Sequence, residues 1–471
     1  MNIARSSTQL FVANVTSTVL SLAGFVFFAR RLGAAGFGVV VLFQSLVNVI
    51  TFVTDLGFGT AVQKRISEGE DAPTLFASAL VAKIALFAVT AVVLLAVGDV
   101  VDGYVGLDVT LLLLVGIALN SLGSVMVNVL RGELRVGATA VLGATTSFFR
   151  VVVGGALVLA GFGPLGVIYG LLAGFAVKLL WGNYRRSTSV GRPSLAHIRS
   201  LFEFAKYDFF GGVGSYVFSW LDVLIIGVLL SQSAVGTYEV AWRVAGVTLI
   251  LTTAVKTAVL PQVSEWHASG EVDRIEQLLN DILTPAVFLV VPAIAGVALL
   301  ARPILRLVFG LEYVDGAAVL VVLTSMKLIS AVHLVMVPCL LGIDRPDLNA
   351  RATIVAVVIN LVLNVGFILQ FGIFGAAVAT AVALAVNLAV TTRYLSRFVT
   401  IRVPYWNVGW FVVAALAMAV VVHSVRTVHA VNTVPRLVAV VTLGVVVYVG
   451  VVLLSRQLRA QIISGVHETL S

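Results

Sequence analysis

The sequence predicts an all-α polytopic membrane protein of 14 transmembrane helices. They form two six-helix lobes related by a parallel pseudo-twofold repeat, plus two extra C-terminal helices. Three observations lead there. Of 471 residues, 60% are hydrophobic and 11% charged, against roughly 25% charged in ordinary soluble domains, and the mean hydropathy is +1.09. Apolar segments long enough to cross a hydrocarbon core of about 30 Å recur along the whole chain. The second half returns features of the first in the same order. So little polar surface cannot clothe a water-soluble fold of this size, which excludes a cytosolic enzyme.

With a window of about 19 residues, the apolar segments fall near 9–29, 38–56, 75–97, 109–130, 139–160, 163–182, 208–230, 234–258, 281–301, 317–341, 351–370, 373–392, 406–424 and 436–455. The first is a retained span and not a signal peptide. It carries Asn14, Thr16, Ser17, Thr18 and Ser21, lacks a cleavage site and leads into a long polytopic chain. Asn14-Val15-Thr16 matches a glycosylation acceptor only by chance, because it lies within that span. The single Cys339 excludes an intramolecular disulfide and a multi-cysteine metal site, and no HExxH pair exists. No metal or cofactor is expected.

The excess of 30 Lys and Arg over 22 Asp and Glu belongs mainly to loops, so it points to topology and not to nucleic acid. Eighteen cations fall on the side of the N terminus, from Arg5, Lys64 and Arg65 through Arg185 and Arg186 to Arg459. Only six, Arg30, Arg31, Arg302, Arg306, Arg426 and Arg436, fall on the other. Positive charge collects inside, so both termini are expected in the cytoplasm and the chain in the cell membrane.

Ala61-Val62 followed by Ile66-Ser67-Glu68 returns as Ala258-Val259 followed by Val263-Ser264-Glu265. Gly38 corresponds to Gly236, and the FGPLG from Phe162 to the FGIFG from Phe371. Each offset crosses six spans, an even number, so the halves share one orientation and form a parallel repeat. The expected division is a lobe over 1–183, a basic cytoplasmic linker over 184–207, a second lobe over 208–398, and helices 13 and 14 with the tail over 399–471. Leu195, Ile198, Leu201 and Phe202 give the linker an apolar face. Two such bundles suit alternating access, with substrate near the midplane between them.

Polar residues at helical spacing mark faces that avoid lipid. Span two carries Gln44, Asn48, Thr51 and Asp55; span one carries Asn14, Ser17 and Ser21; span seven carries Ser215, Ser219 and Asp222. Helix-to-helix hydrogen bonding explains the Ser and Thr positions as readily as ligand contact does. Ionised groups carry more information, since each costs about 2.5–3.5 kcal/mol at the bilayer centre. Lys83, Lys178 and Lys256 are expected to snorkel to an interface. Arg150, Asp222, Arg243 and Lys327 lie deeper. Glu239 and Arg243, four apart, permit an intrahelical ion pair. Six interior cations against the acids Asp222 and Glu239 leave +4, which suits a phosphate or pyrophosphate. The competing view is a structural or gating network in which Asp222 and Glu239 pair with Arg243 or Lys327. His333 and His423 receive no role.

Three places resemble the oligosaccharide flippase family, the polysaccharide transporters of the multidrug, oligosaccharidyl-lipid and polysaccharide exporter superfamily. They are Ala29-Arg30-Arg31-Leu32-Gly33 with Gly36-Phe37-Gly38; Asp55-Leu56-Gly57-Phe58-Gly59 leading to Lys64-Arg65-Ile66-Ser67-Glu68; and Asp222 followed by Ala234-Val235-Gly236-Thr237-Tyr238 and Ala241. The resemblance implies a non-enzymatic flippase that moves a lipid-linked oligosaccharide, on polyprenyl phosphate or pyrophosphate, from the cytoplasmic to the outer leaflet. Cavity cations would hold the headgroup while the lipid tail stays in the bilayer, and glycan-assembly enzymes are a further expected partner. By the resemblance, Arg30 and Arg31 match the family's basic pair and Asp55 and Asp222 its recurrent acids. Arg150, Arg243 and Lys327 come from their position in the spans. No long specificity loop is present, so the sugar is not identified. The alternatives are a cation-coupled multidrug exporter of the same superfamily, a non-transporting scaffold of a glycan synthesis complex, and a membrane glycosyltransferase. For the last, the outer-loop pair Asp99 and Asp102 lacks catalytic context.

Overall fold

The computed structural model describes the backbone of residues 3–456, 458 and 459, and the side chains of 17–205, 216, 219–257, 259–456, 458 and 459. Asn14, Ser215 and Ala258 therefore lie outside the described side chains. Every regular element among the described residues is helical. Among the described residues, eleven helical stretches are long and apolar enough to cross a membrane, and the chain is a multi-pass membrane protein.

The chain divides into two compact units, Met1–Gly236 and Thr237–Ser471. The first contains α1 (Ile3–Asp55), α2 (Phe58–Ser67), α3 (Ala72–Ala96), α4 (Gly98–Val105), α5 (Thr110–Gly132), α6 (Val136–Leu159), α7 (Gly163–Arg185) and α8 (Leu195–Leu229). Helix α9 (Gln232–Gly246) runs across the division. The second unit continues with α10 (Ile250–Ala268), α11 (Val272–Phe288), α12 (Val290–Ile304), α13 (Ala317–Gly342), α14 (Pro346–Leu395), α15 (Tyr405–Val428) and α16 (Val434–Leu454). Lipid-facing surfaces are apolar, as a membrane span requires. On α3, Val89, Val92, Val93 and Leu95 are all exposed.

Two of these helices are hairpins. A straight helix would separate Phe25 from Phe37 by about 18 Å, and Asn360 from Thr380 by about 30 Å. The Phe25 and Phe37 rings instead meet at 5.2 Å, and Asn360 Nδ2 donates to Thr380 Oγ1 at 3.0 Å. The folds occur at Gly33 (φ 69°) and Gly372 (φ 58°), where positive φ favours glycine.

Helices α6 and α7 approach through glycine. A Cβ at Gly170 would lie 2.6 Å from the Arg150 carbonyl oxygen and from Gly154 Cα, and one at Gly174 3.0 Å from the Thr146 carbonyl oxygen. Small residues four apart let helices without a hydrophobic driving force pack backbone to backbone. The linker segment of α8 splits its expected apolar face. Leu201 is buried with Phe58, Phe76 and Met126, whereas Leu195 and Phe202 stay exposed. In the second unit, Val263, Leu279, Met336, Cys339 and Leu395 form one buried cluster. Helices α15 and α16 pack Phe411, Met418 and Tyr448 against Val290 and Leu300 of α12.

Local conformations recur in both units in the same order. Left-handed Gly69 and Gly270 (φ 83° and 73°) are followed by Leu134 and Asp344 (φ 59° and 56°), then Gly163 and Gly372 (φ 57° and 58°). At the middle pair, Arg135 N donates to Leu130 O at 2.9 Å and Arg345 N to Leu340 O at 3.0 Å, the same helix-ending motif twice. A Cβ at Gly132 would press on Ile66 in one unit, and one at Gly342 on Val263 in the other.

Candidate functional site

The turn from α1 into α2 builds the first charged site. Leu56 (φ 47°) and Gly57 (φ 81°) are both left-handed, and Gly57 leaves no room for a side chain beside the Ala205 carbonyl. The reversal sets Asp55 at the end of α1, where Oδ2 accepts from Gly59 N at 3.3 Å and Oδ1 pairs with Lys83 Nζ of α3. Lys83 is 2% exposed. It therefore does not snorkel; it is a buried cation neutralised by Asp55. Counting Asp55 among the interior acids lowers the cationic surplus from the expected +4 to +3.

Next to this pair in the unit runs a chain of polar groups from α1, α5 and α7. Asn120 Nδ2 donates to Thr51 Oγ1 at 3.4 Å, while Lys178 Nζ donates to Asn120 Oδ1 at 2.5 Å and to Ser124 Oγ at 3.1 Å. Lys178 is thus tied to helix side chains and does not reach an interface alone. Gln44 and Asn48, on the same stripe of α1 as Asp55, are partly buried. Asn120 and Ser124 were not singled out by sequence reasoning; their spacing of four on an apolar span is the signal that finds them.

Arg150 on α6 donates from Nη2 to Ser21 Oγ of α1 at 3.5 Å, beside Ser17 Oγ donating to Ser147 Oγ at 3.0 Å. Asp222 is 6% exposed and Ser219 is exposed. Arg30 and Arg31 are exposed, just ahead of the Gly33 fold.

In the second unit, Arg243 Nε meets Glu239 Oε1 at 2.6 Å, with the arginine side chain 50% exposed and the glutamate 7%. Lys327, 4% exposed, lies with Nζ 3.7 Å from the centroid of the Trp242 ring, and that ring stacks on Tyr238. A cation over indole is favourable, by about 2 kcal/mol or more when desolvated, so α9 holds the ammonium of α13 by an aromatic face. Trp242 was not anticipated. A second polar group missed in the sequence is Asn360, fully buried in α14 with Thr380.

The arrangement offers paired and hydrogen-bonded cations inside apolar helices. No cluster with metal-ligand composition occurs among the described residues. Asp102, expected in a loop, lies in α4 and acts as a structural cap: Oδ1 accepts from Val109 N at 2.7 Å and from Thr110 N at 2.8 Å.

A model of the family described as polysaccharide biosynthesis protein matches residues 27–318. The probable low-salt glycan biosynthesis flippase Agl15 of Haloferax volcanii is 40% identical over 427 residues, covering 91% of this chain and 90% of that protein. Among solved structures, the lipid II flippase MurJ in an inward closed conformation superposes with a TM-score of 0.79 at 16% identity, over 94% of this chain and 98% of that one. An inward-facing multidrug resistance transporter of the MOP superfamily gives 0.67 at 16% identity, over 80% and 93%. At such identity the two structures establish likeness of fold.

Proposed function

Because the chain belongs to the polysaccharide biosynthesis protein family, within the MOP superfamily, we propose that it is a flippase. Its substrate is a lipid-linked oligosaccharide carried on polyprenyl phosphate or pyrophosphate, moved from the cytoplasmic to the outer leaflet by alternating access. The naming of its relative Agl15 as a glycan biosynthesis flippase supports the substrate class. The observation that carries the mechanism is Arg243: a half-exposed guanidinium within an apolar span, fixed at Nε by buried Glu239. Arginine keeps its charge at any accessible pH and matches phosphate geometry, so it suits a headgroup contact that must be made and broken. Lys327 and Arg150 add positive charge on other helices. Asp222, Ser219, Ser215, Gln44 and Asn48 supply polar faces for the sugars, and Arg30 and Arg31 flank the entry of the second span.

Fourteen crossings are supported by the two hairpins, each counting twice, and by the apolar segment Ser219–Leu229 at the end of α8. The parallel repeat and the division into lobes over 1–183 and 208–398, with the appendage over 399–471, are supported by the turns that recur in the same order.

The test is translocation of a fluorescent lipid-linked oligosaccharide in proteoliposomes by Arg243→Ala. Loss of a charge-assisted contact predicts a rate about tenfold lower with unchanged yield of folded protein. An unchanged rate removes Arg243 from the path.

A further inference from the structure

Positive charge is rare on the side of this chain assigned to the outside, so the arginines found there call for a reason. Two of the six, Arg302 and Arg426, converge on one cavity of about 440 Å³ in the second unit. It opens where α12 ends, α13 begins and α15 ends. Beside the two arginines its lining holds one acid, Asp315, and is otherwise aliphatic, with Ala301, Ala317, Ala318 and Val321 among it. The lining therefore carries two guanidinium groups against one carboxylate.

The cavity is built and is not merely a gap between side chains. Arg426 Nη1 donates to the Leu299 carbonyl oxygen of α12, which fixes the guanidinium on the wall before any ligand arrives. Helix α12 passes at this point into one π-helical turn, Leu305–Phe309, then into Gly310 at φ 128° and the 3₁₀ segment Leu311–Gly316. Wide turns of this kind frequently mark functional sites. Helix C-termini favour nearby cations, which accounts for an arginine at each helix end but not for their meeting across an apolar hollow.

We propose that this cavity binds the phosphate headgroup of an anionic lipid. Guanidinium groups take phosphate oxygens in charge-assisted pairs, and the alanine-lined wall accepts the first carbons of the glycerol or polyprenyl body. A free inorganic anion would leave that apolar wall against water. The site lies apart in sequence from Arg150, Arg243 and Lys327, and it requires only that the chain be embedded in a bilayer, so it stands independently of the flippase reading.

The experiment is native mass spectrometry of the full-length protein with phosphatidylglycerol, phosphatidylcholine, polyprenyl phosphate and lipid-free glycerol phosphate. Phosphatidylglycerol is expected to be retained about tenfold over phosphatidylcholine, the scale of one charge-assisted contact. Arg302→Gln, at an exposed position, and Ala318→Trp, which fills the hollow without changing charge, should each abolish most of that preference while the protein stays monodisperse. Displacement of phosphatidylglycerol by polyprenyl phosphate identifies a carrier lipid as an occupant; failure to displace identifies a resident phospholipid. Equal retention of the two phospholipids, or a preference untouched in both variants, overturns the proposal. So does glycerol phosphate binding as tightly as the lipids.

Discussion

The pair Asp55–Lys83 sets the energetic character of the first unit at single-residue scale. A buried ion pair contributes little net stability, because desolvation offsets the attraction, but removing one partner strands the other and costs about 3–5 kcal/mol. Lys83→Met should therefore lower the midpoint of thermal unfolding in detergent sharply, and Lys83→Met with Asp55→Asn should recover much of the loss. If the double variant is no better than the single, the two groups are not acting as a pair. The pair also illustrates which residues are legible before folding. Glu239 and Arg243 stand four apart on one helix, so their contact follows from spacing alone. Asp55 appears in a polar stripe, but its partner lies on another helix 28 residues away. Periodicity within a span says nothing about a neighbour that reaches across, which is why Lys83 and Lys178 read as snorkelling. Trp242 escaped for the same reason: its role is set by Lys327 on a different helix.

At the scale of the element, glycine decides which helices turn back and which lie close. The family-like motifs are largely a record of this. Gly33 folds α1, Gly57 turns it into α2, and Gly38 and Gly236 leave no room for a side chain where their backbones meet. Gly170→Ala inserts a methyl group against Gly154 and the Arg150 carbonyl, so α6 and α7 must separate. We expect a loss of about 1–3 kcal/mol, the usual cost of overpacking, seen as a lower unfolding midpoint. Gly143→Ala on α6, where an added Cβ meets nothing, should be neutral or slightly stabilising. Equal effects of the two substitutions would remove close approach as the reason for Gly170. The apolar spans themselves were legible from composition. The hairpin identity of α1 and α14 was legible as pairs of adjacent spans, whereas the burial of Leu201 and the exposure of Leu195 and Phe202 depended on the faces that α2, α3 and α5 present.

For the whole molecule, the orientation we propose from the distribution of arginine can be tested without reference to substrate. Cys339 is fully buried, so a membrane-impermeant maleimide should leave the wild-type protein unlabelled in intact cells. Ala430→Cys, between α15 and α16, should react from outside, and Ser269→Cys, between α10 and α11, only after permeabilisation. The reverse pattern would invert the topology and the direction of transport with it. The substrate class we propose was legible only through resemblance to a family, since a surplus of positive charge suits an anion and says nothing of a glycan attached to it. The most direct measurement is reconstitution of the wild-type protein in vesicles loaded with a fluorescent lipid-linked oligosaccharide, followed by reduction of the label from outside. The account predicts that the protein brings inner-leaflet label to the outer leaflet far faster than protein-free vesicles do, with no proton- or sodium-driven efflux of cationic dyes. Label that stays protected, together with robust dye efflux, would contradict it.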